Sequence, residues 1–241
     1  MRFYKQQHKY YCGIDLHARK MYVCIIDSKD KVKVHQNIKT DPEVFFDLIF
    51  PYLDDIAVGV ECVFCWYWLT DLCAEHHIRF VLGHALYMKA IHGGKTKNDR
   101  IASYKLASLL KGGTFPIAYA YPAKWRATRD LLRRRMYISR RCGELVAHII
   151  NTNTQYNLPG FKKKLSRKYN HDGVAERFED PQVRKSVEMI AAMNQLLNKL
   201  EYHIEKTARS HDYRTLYLLR SIPGVGQILA LVILYEIHDI K

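Results

Sequence analysis

The chain has 241 residues, 48% of them hydrophobic, and a formal net charge of +14 from 38 Lys and Arg against 24 Asp and Glu. That is enough apolar material for one large core or two small ones, and no apolar run reaches the length that spans a bilayer, so a membrane partner is not expected. The charged N-terminal MRFYKQQHKYY lacks the hydrophobic stretch of a signal peptide, and six cysteines in apolar or helical contexts do not form a disulfide framework, so a cytoplasmic setting is expected.

The first third alternates strand-like and helix-like pieces. YYCGIDL (10–16) and MYVCIID (21–27) are rich in β-branched and aromatic residues, and KDK (29–31) turns the chain toward VKVHQNI. DPEVFFDLIFPYL then opens a helix, with Asp41 as its cap and Pro42 in its first turn. DIAVGVE (55–61) reads as a buried strand, CWYWLTDLCAEHH as a helix, IRFVLG as a strand and ALYMKAIHGG as a helix closing on glycine. A hairpin followed by strands alternating with helices predicts a mixed α/β sheet covered by helices on both faces. HGGKTKNDRIASYKLASLLKGG (92–113) is a further helix bracketed by glycine pairs, with Asp99 at its start among Lys95, Lys97 and Arg100.

Beyond Pro116 the pattern changes. Leu131, Arg135, Ile138, Cys142, Leu145 and Ile149 recur at spacings of four and three between Pro122 and about Asn157. Ile190, Met193, Leu197, Leu200 and Ile204 do so from Pro181 to about Arg209. Two long heptad-patterned helices joined by the loop GFKKKLSRKYNHDG predict an antiparallel pair or coiled-coil arm, short enough in apolar residues to call for association with another helix or subunit. SIPGVGQILALVILYEI places Gly224 and Gly226 just before an apolar helix, as in half of a helix-hairpin-helix that holds a phosphate, although a purely structural turn has the same sequence. The chain stops at Lys241 without a polar tail, which predicts that a C-terminal part is missing.

Between residues 121 and 170 there are 13 Lys or Arg and two acids, Asp130 and Glu144, so this segment carries +11 of the +14. Charge so concentrated is the footprint of a polyanion partner, and nucleic acid fits better than a membrane surface because no bulky apolar helix face accompanies it. Lys124, Arg126, Arg129, Arg133, Arg134, Arg140 and Arg141 wrap a helix, while Lys162, Lys163, Lys164, Arg167 and Lys168 cluster in a loop. Arginine suits bidentate phosphate contact, and binding through such groups falls steeply with salt.

Three acids stand out. Asp15 interrupts the first apolar strand, where an unsatisfied charge is costly. Glu61 ends a strand, where open α/β sheets present their chemistry, and Asp99 begins a helix. Together they can converge on a hard divalent cation of the kind that assists phosphoryl transfer. Taken singly, Asp15 pairs as easily with Arg19 or His17, Glu61 is an ordinary strand-end acid, and Asp99 is a favourable helix-start charge. CVFC…CAEHH invites a zinc reading, but on one helix Cys62 and His76 stand about 21 Å apart at 1.5 Å per residue, so these cysteines are expected to pack as apolar side chains.

GIDLHARKMYVCIID, VGVECVFCWYWLTDLC and KTKNDRIASYKLASLLKGGTFPIAYAYP, in this order, resemble the RuvC-like DEDD domain of insertion-sequence transposases related to Piv-type DNA invertases. The members now described are bridge-RNA-guided recombinases. The resemblance implies an RNase H-like α/β sheet with flanking helices at 1–118, a basic coiled-coil region at 119–212, and the start of a helical transposase domain at 213–241. It makes Asp15, Glu61 and Asp99 ligands of Mg²⁺ (or Mn²⁺) and puts the fourth acid on Ala102, where the usual run reads Asp-Arg-Ile-Asp-Ser. Natural divergence and a deliberate Asp→Ala change would both impair cleavage. It further implies target and donor DNA and a structured guide RNA as partners, a dimer or tetramer, and a catalytic Ser beyond Lys241. A junction-resolving metal-dependent nuclease and a non-enzymatic nucleic-acid-binding scaffold are the alternatives.

Overall fold

A computed structural model describes residues 2–92, 98–165 and 168–237. The chain divides into two compact units, Met1–Ala123 and Lys124–Lys241. Lys95, Lys97 and Arg167 lie outside the described residues, as does the side chain of Lys168.

In the first unit the strands are β1 (Phe3–Tyr4), β2 (Tyr10–Leu16), β3 (Lys20–Asp27), β4 (Val32–Lys39), β5 (Ile56–Glu61), β6 (Arg79–Gly83) and β7 (Phe115–Pro116). The helices are α1 (Pro42–Ile49), α2 (Tyr67–Glu75), α3 (Ala85–His92) and α4 (Asp99–Lys111). Five strands form a mixed sheet in the order β4-β3-β2-β5-β6, antiparallel from β4 to β2 and parallel from β2 to β6. The β3–β4 turn is built by Asp27, whose Oδ1 accepts from the N–H groups of Lys29 and Lys31, both at 2.9 Å. Asp41 caps α1 by accepting from Glu43 and Val44.

Alternation along β2 sorts its side chains to two faces. Cys12, Ile14 and Leu16 join Val58, Val60, Phe45, Ile49, Leu69 and Cys73 in a core covered by α1 and α2. Tyr11 joins Ala57, Val81, Leu106, Ala107, Leu110 and Phe115 on the α4 face. Gly13 lies under α4 so closely that a Cβ there would stand 2.2 Å from the Ser103 carbonyl oxygen and 2.3 Å from the Ala107 nitrogen. Gly59 beside it makes room for the Leu110 side chain, whose Cδ1 would stand 2.5 Å from an added Cβ. The helix backbone therefore rests on the sheet, and its N-terminal turn is carried to the end of β2. The β1–β7 pair, Phe3 with Pro116 and Tyr4 with Phe115, closes this face.

The helix α2 is shorter than its sequence suggests. It begins at Tyr67, so Cys62 and Cys65 lie in the turn before it, while Cys73 is fully buried. Trp66 is buried, with Tyr67 and Trp68 packed against the same core.

The second unit holds α5 (Ala123–Gln155), α6 (Pro181–Ser221) and α7 (Gln227–Ile237). Leu132 of α5 packs with Ile204, Ala208 and α7, Ile149 packs with Val187 and Ile190, and Arg135 meets Glu201 at 2.6 Å between them. These contacts make α5 and α6 antiparallel. The connecting segment is not only a basic loop: Leu165, Val174 and Phe178 are buried in the second of these clusters. The helix α6 runs past Arg209 to Ser221 with a break at Asp212, whose φ is −155° and ψ 84°. Asp212 Oδ1 accepts from Thr215 N at 2.9 Å and so starts the helix afresh.

Candidate functional site

Ile14 pairs with Val60 on the parallel strands β2 and β5. One step further along each, Asp15 and Glu61 are neighbours at the C-terminal edge of the sheet, on the face that α4 covers. The start of α4 is set by Asn98, whose side chain accepts from Arg100 N at 2.9 Å and leaves Asp99 as the first helical residue. His35 of β4 holds the same turn, its Nε2 lying 2.8 Å from the Arg100 carbonyl oxygen, with its ring against Tyr22 and Tyr104.

At this corner Asp15 Oδ1 lies 3.5 Å from His17 Nε2, which lies 3.8 Å from Asp99 Oδ2. One ligand atom from each of the three residues falls within 4.8 Å of the others. Asp15 is half-buried, with His17 and Asp99 exposed. Burial pushes the Asp15 carboxyl above the ordinary value of 3.8; the nearby His17 opposes this and Asp99 adds to it. A carboxylate disfavoured by burial and by a second acid gains strongly from an added positive charge. Two carboxylate oxygens and one imidazole nitrogen suit a divalent ion that accepts both O and N donors, such as Mn²⁺.

Of the expected ligands, the fold thus brings Asp15 and Asp99 together. The third member of the cluster is His17 rather than Glu61, which stands on the adjacent strand and has interactions of its own. The spacing Asp15-x-His17 at a strand end was the available signal, and it reads equally as an ion pair. Ala102 is half-exposed one turn along α4, its N–H bonded to the Asn98 carbonyl at 2.9 Å, and its methyl offers no ligand.

A family model for DEDD transposases of the IS110 type, described as Transposase, matches residues 12–158, from within β2 to just past α5. The chain belongs to this family. No curated protein matches the chain. Membership makes it an insertion-sequence transposase, an enzyme of DNA transposition that works on DNA. Among the described residues no helix is long and apolar enough to cross a membrane.

On this transposase the basic residues divide by burial. Lys124, Arg133, Arg134, Arg140, Arg141, Lys162, Lys163 and Lys164 are exposed, as is Arg100 in the first unit. Arg126 and Arg129 require a correction. Arg126 is only 7% exposed, and Arg129 has a side chain 12% exposed that meets Glu236 at 2.8 Å. The first turns of α5 pack against α7 and the end of α6, so these two arginines serve the unit's own interior rather than a solvent face. Arg133 shares Glu236 at 2.7 Å. Gly224 adopts a φ of +85° in the turn before α7, and Gly226 follows it, both exposed.

Proposed function

We propose that the protein cleaves and exchanges strands of insertion-sequence DNA by metal-assisted phosphoryl transfer at the corner formed by Asp15, His17 and Asp99, with Glu61 beside it. The carrying observation is the meeting of three ligand atoms within 4.8 Å, drawn from the end of β2 and the first turn of α4, inside the family-matched region. Sheet order and helices on both faces fit an RNase H-like fold. A divalent cation held there would stabilise charge on the attacking and leaving oxygens. Asp15 and Asp99 would hold it through carboxylate oxygens, His17 through Nε2, and the close seat of α4 on Gly13 keeps these donors in register. Ala102 contributes no oxygen where the family resemblance places a fourth ligand, so cation affinity and cleavage are impaired in this chain.

The exposed Lys and Arg of α5 and of the segment after it support contact with target DNA, donor DNA and a structured guide RNA, and the family resemblance supports a dimer or tetramer. Family membership favours transposition over junction resolution and over a non-enzymatic scaffold. The test is Mn²⁺ titration followed by electron paramagnetic resonance. Asp15→Asn is expected to weaken binding by roughly tenfold or more, and Ala102→Asp to tighten it by roughly tenfold, the loss or gain of one ligand being worth about 1.4 kcal/mol or more. Unchanged affinity in both variants would remove the metal site from the proposal.

A further inference from the structure

Around the break at Asp212, α6 carries an exposed stripe. Arg209, Tyr213, Leu216, Tyr217, Arg220 and Ser221 line an open cleft of about 400 Å³. Leu216 is its buried floor, while Tyr213 and Tyr217 are 61% and 63% exposed, their rings 6.3 Å apart and 25° from parallel. Glu205 accepts from Arg209 at 2.6 Å and from Arg220 at 3.2 Å, and also from Gln227 of α7. One carboxylate oxygen thus gathers two guanidinium groups at the cleft, while both side chains stay about half-exposed. Each arginine has five N–H donors, so a contact to Glu205 leaves others for a phosphate. From 205 to 221 there are four Lys or Arg against two acids, so the stripe adds to the chain's positive charge.

We propose that this cleft binds an unpaired stretch of DNA, with bases stacked on Tyr213 and Tyr217 and phosphates held by Arg209 and Arg220. Ring faces at this exposure meet the faces of bases, which are free in a single strand and covered in a duplex. A paired cationic group beside exposed aromatic rings is the combination that holds such a strand, whereas a protein partner would call for a wider apolar surface than one buried leucine beside arginines. DNA is the polymer on which the family acts. The inference goes beyond the proposed function: it assigns a second contact, on side chains outside those named as expected nucleic-acid contacts, and does not depend on the metal corner.

Fluorescence anisotropy of the full chain with a fluorescein-labelled 20-nucleotide oligo-dT, and with a duplex of equal length, tests it. Tyr213→Ala with Tyr217→Ala should weaken oligo-dT binding by about tenfold per ring and leave duplex binding within about twofold. The double Phe variant should bind like the parent. Arg209→Gln with Arg220→Gln should lower the salt slope for oligo-dT by about 0.7 per contact. Oligo-rU binding no tighter than oligo-dT is expected, since stacking is indifferent to the sugar. Bromodeoxyuridine placed in the strand should crosslink to the segment carrying Tyr213 and Tyr217, a measurement that needs no mutant to fold. The losses in the Tyr213 and Tyr217 variants should be the same in EDTA as with Mn²⁺, which separates failure of this site from failure of the metal corner. Equal losses on strand and duplex, no loss on either, binding of RNA alone, crosslinks only elsewhere, or a change in sedimentation of DNA-free protein would each overturn the proposal.

Discussion

Asp15 is held half-buried beside a second acid, with its carboxyl raised above 3.8. A raised carboxyl adds stability that is complete below the unfolded value and lost as pH rises through the folded one. In EDTA, Asp15→Asn should therefore melt above the parent at neutral pH, and the gap should close as pH approaches 3.8. Asp55 shows the opposite sign. Its oxygens accept from His8 Nδ1 at 2.6 Å and Lys9 N at 2.9 Å, and the His8 bond is the main reason its carboxyl lies below 3.8. Here the stability is present above 3.8 and fades as pH falls through the lower folded value. Since Asp55 is 37% exposed, screening leaves about 1 kcal/mol, which Asp55→Asn should lose at neutral pH and not in acid, as read by urea melts at both. Asp15 was legible as a charge in an apolar strand; the Tyr4–His8–Asp55 chain was not, because it joins residues whose spacing carries no period.

At the scale of elements, α4 and β2 carry the site. Gly13→Ala would drive a methyl into the α4 backbone and should cost about 2–4 kcal/mol, lowering Tm and Mn²⁺ affinity together. Gly143→Ala is the control: nothing lies within 4 Å of its added methyl inside α5, and a gain of about 0.5–1 kcal/mol is expected. The strands and helices of the first unit were legible within a residue or two because each repeats its own period, as with YYCGIDL becoming β2. The two-residue pair β1–β7 was not, since it exists only through partners more than a hundred positions apart. Nor was the break in α6, where Asp212 interrupts an otherwise continuous helical pattern with a residue type that also tolerates helix surfaces.

For the whole molecule, charge predicts how binding responds to salt, and burial decides which arginines take part. Arg134→Gln with Arg140→Gln should lower the slope of duplex-DNA affinity against salt by up to about 0.9 per lost contact and leave Tm unchanged. Arg126→Gln should do the reverse, lowering Tm with little effect on the slope, because its side chain is buried. The sequence alone determined the order of the five main strands and the helices between them, the +14 charge and its concentration, and the two acids that meet, since periodicity, charge and motif are properties of neighbouring residues. Only the tertiary structure decided that His17 joins Asp15 and Asp99, that Arg126 turns inward, and that Tyr213 and Tyr217 flank a cleft. Such meetings depend on how closely one element rests on another, and the absence of a side chain at Gly13 sets that distance for α4.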